Sequence, residues 1–163
     1  MQATWQSCAL TAVRVVMGAF FLMEAEHQLA SGYIGGDDLA VKLQKAADDT
    51  AIPGYSFLIE HVFLKVDDPL TVLVIIGELA VGTALVIGLF TRLTAAVALF
   101  MNANFLLMNG LSFGGLIDAL FISGELLLIV FAARQALSVD QLLARRGISG
   151  PLMSGSVAGS AAG

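Results

Sequence analysis

Four long apolar runs, each carrying few charges, restrict this chain more than any other feature. A helix rises about 1.5 Å per residue, so crossing roughly 30 Å of hydrocarbon takes about 20 mostly apolar residues. Four segments qualify: Cys8 to Leu29, Leu70 to Phe90, Leu93 to Met108 and Leu116 to Ala133. Lipid offers no partner to backbone N–H and C=O groups, so each run is expected to close its hydrogen bonds as a helix. The expected fold class is all-α: an integral membrane four-helix bundle, with short interfacial helices in the first loop and after the last span. Charged residues make up 13% of the chain, about half the share usual in soluble domains. Little chain is left for a separate soluble domain.

The net charge of −5 argues against nucleic acid as a partner. A single cysteine, Cys8, allows neither an intramolecular disulfide nor a C-x-x-C pair. No Lys or Arg precedes the first run and no A-x-A site follows it, so a retained helix is expected rather than a cleaved signal peptide.

The one long loop runs from Ala30 to Asp68. Residues 37–47 space their apolar side chains as one face of a helix, with Asp37 or Asp38 as its cap. Pro53-Gly54 breaks the chain, and Tyr55 to Leu64 forms a second apolar segment, too short to span. It is expected to lie at the interface or over the bundle mouth. A tiny turn around Thr91-Arg92 makes spans two and three an antiparallel hairpin; the turn from Asn109 to Gly115 is also short. Val139 to Arg145 reads as an amphipathic helix on the membrane surface, and residues 147–163, mostly Gly, Ser and Ala, as a disordered tail. Arg14, Arg92, Arg134, Arg145 and Arg146 fall on one side and the three lysines on the other. That bias places both termini in the cytoplasm of a multi-pass inner (plasma) membrane protein, with the long loop outside.

Ionisable groups inside spans are expensive and usually face the bundle interior. Span one carries Arg14, Glu24, Glu26 and His27; span two, Glu78; span three, Asn102 and Asn104; span four, Asp118, Ser123 and Glu125. Glu78 and Glu125 fall near mid-membrane; Glu24, His27 and Asp118 lie nearer the outer ends. Gly77-Glu78-Leu79 and Gly124-Glu125-Leu126 repeat one pattern at similar depth. Two readings stay open. Glu24, His27, Glu78 and Glu125 form a buried site for a polar ligand or for protons, with Glu78 and Glu125 as the reactive acids. Alternatively these groups satisfy one another, with Arg14, Asn102 and Asn104 as partners, and fix helix register. A carboxylate-bridged metal pair needs Glu-x-x-His on two helices. Glu24 to His27 supplies one copy and no span a second, so no metal is expected.

Several stretches resemble the DoxX family, including the DoxD-like small subunit of thiosulfate:quinone oxidoreductase. They are Arg14-Val-Val-Met-Gly18, Gly77-Glu78-Leu79 with Gly82, Gly88-Leu89-Phe90-Thr91-Arg92, and Ala133-Arg134-Gln135-Ala136-Leu137-Ser138-Val139-Asp140. The resemblance implies a four-helix membrane protein, redox-associated and quinone-linked, with Arg14, Glu78 and Arg92 as pattern positions. Many members carry Gly-x-x-Lys at the end of span one; here Ala25 and Gln28 stand there. No haem, flavin or nicotinamide motif is visible, so catalysis would need a second subunit, with a quinone as the candidate cofactor. The competing functions are a non-enzymatic accessory or assembly subunit of a larger membrane complex, and a small proton or cation transporter.

Overall fold

In the computed structural model, residues 5–50, 52–131 and 137–148 are described. They form seven helices, and no strand occurs among them: α1 (Trp5–Ala30), α2 (Asp38–Asp49), α3 (Tyr55–His61), α4 (Asp67–Ile87), α5 (Thr91–Asn109), α6 (Phe113–Val130) and α7 (Val139–Arg145). A 3-10 turn, Phe63–Lys65, follows α3. The protein is all-helical, and α1, α4, α5 and α6 are long and apolar enough to cross a membrane. Arg134 and nearly all of the expected disordered tail lie outside the described residues.

The local chemistry explains where the long helices start and stop. Asp67 and Asp68 occupy the first turn of α4, where the helix dipole favours acids. Pro69 sits in that same turn, where its missing N–H costs nothing. The helix ends at Gly88, whose φ of 71° is left-handed backbone and suits a residue without Cβ. The tight turn is Gly88 to Phe90. Thr91 and Arg92, which the spacing placed in the turn, already belong to α5, because a carboxylate from elsewhere satisfies the first N–H groups of that helix (below). Asp37 takes the N-cap position of α2 but makes no capping bond through its side chain. Its backbone, φ −90° and ψ 8°, departs from the extended conformation that side-chain capping favours.

The four long helices associate as two close pairs, α1 with α4 and α5 with α6. A Cβ on Gly18 would come 2.8 Å from the Gly82 carbonyl, and one on Gly82 would come 2.9 Å from the Gly18 carbonyl. Small residues here let the α1 and α4 backbones touch, which is how helices pack where lipid removes the hydrophobic drive. Ala95 and Ala98 of α5 are buried in the same manner, whereas Ala96 faces outward. The outward faces are apolar, with Leu73, Ile76, Phe100, Leu120 and Val130 exposed, as contact with membrane lipid requires.

Two separate cores result. Met17, Val81, Leu85, Ala95 and Leu128 fill the half of the bundle nearer the α4–α5 turn. The second core belongs to the long loop: Leu39, Leu43 and Ala47 of α2 pack on Tyr55 and Ile59 of α3, with Leu70 and Met108 leaning in from α4 and α5. The loop is thus a folded cap, seated mainly on α5 and α4. Phe57, Leu58 and Val62 remain exposed on its outer surface.

Candidate functional site

The bundle half beneath the cap is polar inside, and its acids are bound in a repeated way. Glu78, at the middle of α4 and 3% exposed, accepts from Gln28 Nε2 through both oxygens, at 3.1 and 2.9 Å. Asp118 of α6 accepts from Asn109 Nδ2 at 2.8 Å. The short Gly110–Ser112 turn brings that last residue of α5 beside the second turn of α6. Gly115 is required there, since a Cβ would run into the Gly110 carbonyl. Glu125, fully buried, accepts from Asn102 Nδ2 on α5 through a short bond, while its second oxygen, Oε2, is buried without a partner among the described residues. Each of these three acids is therefore met by a neutral carboxamide from a neighbouring helix, and none of these bonds comes from a cation. Burying a carboxylate with so little compensation is costly, and such cost is commonly retained where it serves a site.

A cavity of about 220 Å³ opens among these groups. Phe20 and Phe21 of α1, Phe105 of α5 and Tyr33 form its apolar walls. Its acids are Glu24, Glu78 and Asp118, its carboxamides Gln28, Asn102 and Asn109, and its one cation is Lys42 of α2. Glu24, Lys42 and Asn109 are exposed at the rim, whereas Phe21, Glu78, Asn102 and Asp118 are buried at the bottom. The cavity is a funnel facing the cap end. Below it Phe121 of α6 packs on Phe20 at 4.6 Å and edge-on against Phe21 at 6.4 Å, joining the two helix pairs.

The structure thus gathers Glu24, Glu78, Asn102 and Asp118 in one cavity and attaches Glu125 to it through Asn102. It does not bring the other candidates there. His27 is exposed and does not line the cavity. Phe21, Ala25 and Gln28 define the inward face of α1, and His27 lies about 100° off Gln28 around the helix. Asn104 turns back on its own helix, donating to the Phe100 carbonyl at 2.7 Å. Ser123 does the same to Ala119 at 3.0 Å. Asn109, Lys42 and Tyr33 were not proposed as site residues from the sequence, and Gln28 entered only as a departure from the family pattern. The available signal was spacing: Gln28 follows Glu24 by four residues and Phe21 by seven, which is one helix face.

Arg14 is at the opposite end of the bundle, 1% exposed, where Nη2 donates to the Leu137 carbonyl at 3.0 Å. The buried Asp140 of α7 acts on its charge. Asp140 also accepts from the N–H groups of Phe90 (2.8 Å) and Thr91 (2.9 Å), capping α5 from outside. Its own N–H donates to the Gly88 carbonyl at 3.1 Å. One charged pair so clasps α1, the α4–α5 turn and α7, and the sequence patterns around Arg14, Gly88 and Asp140 meet in it.

No curated protein and no solved structure matches the chain. Residues 9–110 match the model of the DoxX family. That match spans α1, the cap, α4 and α5, which carry Glu24, Gln28, Lys42, Glu78, Asn102 and Asn109, and on it the chain belongs to the DoxX family.

Proposed function

We propose that this protein is a redox-associated membrane subunit whose cap-end cavity binds a quinone headgroup, with Glu78 exchanging a proton at the bound ring. The observation that carries this reading is the composition of one cavity: aromatic walls, carboxamide donors and buried carboxyl groups converge within a span-crossing bundle. The size fits a single ring. Pockets for drug-sized ligands occupy roughly 300–1,000 Å³, so about 220 Å³ takes a headgroup and leaves an isoprenoid tail in lipid. Phe20, Phe21 and Phe105 would stack on or edge the ring, and Asn102 and Gln28 would orient it. A bound quinone supplies two-electron carrier chemistry. The chain's own part is to hold the ring, keep bulk water from the funnel floor, and move protons at the Glu78 and Glu125 carboxyl groups. Electrons would come from a second protein subunit. We place the cap outside and both termini in the cytoplasm of the inner membrane, in line with the arginine bias of the spans.

Glu78→Gln keeps the shape and one of the two contacts with Gln28 but removes the exchangeable proton. Quinone-dependent turnover in native membranes should fall about a hundredfold or more, as loss of a proton-transfer group does. Unchanged turnover would contradict the reading. A second reading, an accessory subunit docking a partner, is favoured by the exposed Phe57 (63%) and Val62 (45%) on the cap's outer surface. Recovery of a stable partner complex that Phe57→Ser disrupts, from membranes where Glu78→Gln leaves turnover intact, would favour it instead.

A further inference from the structure

The cavity contains three carboxyl groups and one cation, and that cation comes from the cap rather than the bundle. Lys42 is placed by its neighbours: Leu39 and Leu43, buried at 9% and 1% exposure, pin the α2 face that carries it. Its ammonium stands 5.0 Å from the centre of the Tyr33 ring, within cation–π range. It makes no hydrogen bond or ion pair among the described residues, so its three donors are open at the mouth of the funnel. Gln28 spans both oxygens of Glu78 at 3.1 and 2.9 Å, which directs that carboxylate toward α1 and leaves Lys42 facing the cavity. Around the funnel Asn102 and Asn109 each commit one of their two N–H donors, to Glu125 and Asp118, and the Tyr33 hydroxyl is buried without a partner among the described residues. Lys42 is the one charged donor among the residues that line the funnel.

We propose that Lys42 is a ligand-binding residue of this cavity, donating a charged hydrogen bond to an acceptor oxygen on the ligand and so selecting molecules that present a carbonyl or oxyanion toward the cap. The Tyr33 face holds the ammonium at the rim until the ligand oxygen takes it. This inference rests on the reading of the cavity as a quinone-headgroup site, and it names the group that recognises the ring oxygen nearest the cap.

The test is calorimetric titration of the detergent-purified protein with two probes: a short-chain benzoquinone and the alkylbenzene of equal chain length, which lacks the oxygens. Lys42→Met keeps most of the apolar stem and, being exposed, leaves both cores untouched. The expected result is a loss of roughly ten- to a hundredfold in benzoquinone affinity, the range for a hydrogen bond to a charged group, with alkylbenzene affinity unchanged. Equal benzoquinone affinity for wild type and variant overturns this inference alone. An equal loss for both probes also overturns it, because Lys42 would then act through the packing of the cap. Absence of benzoquinone binding to the wild type removes the quinone reading itself, and this inference with it.

Discussion

Glu125 shows what a single residue costs in this bundle. Among the described residues its one hydrogen-bond partner is the Asn102 carboxamide, and its second oxygen has none. Replacing Asn102 by Leu should therefore destabilise the protein by about 1–3 kcal/mol, the cost of stranding a buried polar group, read as a lowered unfolding temperature in micelles. Adding Glu125→Met should recover most of that loss, since removing both partners is nearly neutral. Failure of the double variant to recover would mean that the pair does more than satisfy itself. The buried acids were legible in the sequence because ionisable groups in apolar runs stand out. Of their carboxamide partners only Asn102 was legible, as an amide within an apolar run; Gln28 and Asn109 were not, because Gln28 and Glu78 are fifty positions apart and a neutral amide near a helix end is unremarkable. Asn102 and Asn104 looked equivalent, yet two residues on a helix point about 200° apart, so only one can face the interior.

At the scale of elements, the cap and the clasp divide the work. The cap folds on its own small core, and the clasp ties three segments through Arg14 and Asp140. Asp140→Ala removes two acceptors from the start of α5 and leaves the buried Arg14 without the acid that acts on its charge. The expected cost is about 1–3 kcal/mol for each backbone N–H group left without its acceptor, again measured by unfolding in detergent. Gly88→Ala should also be severe. It forces left-handed backbone, worth about 1–2 kcal/mol, and its Cβ would fall 2.6 Å from the Ser138 Cβ and onto the Arg14 guanidinium. A mild effect at both positions would contradict the clasp. The helices themselves, the cap helix α2 and α7 could be read from periodicity and length. The clasp could not, because Arg14, Gly88 and Asp140 come together only when α7 folds back on the α4–α5 turn.

For the whole molecule, the two helix pairs meet through an apolar core at the clasp end and a polar funnel at the cap end. The repeated Gly-Glu-Leu patterns have matching surroundings: Gly77 faces Met101 and Gly124 faces Met17, while Glu78 and Glu125 each take a carboxamide from the partner helix of their own pair. One half of the bundle packs apolar side chains and the other encloses the polar cavity, where the proposed reading seats a ligand. Photolabelling with an azido-benzoquinone, followed by peptide mapping, tests that division most directly. The expected result is saturable labelling confined to the funnel, at Phe20, Phe21, Phe105 or Tyr33, suppressed by excess unlabelled quinone. Labelling spread over the lipid-facing surfaces of α4 and α6, unaffected by competitor, would contradict it.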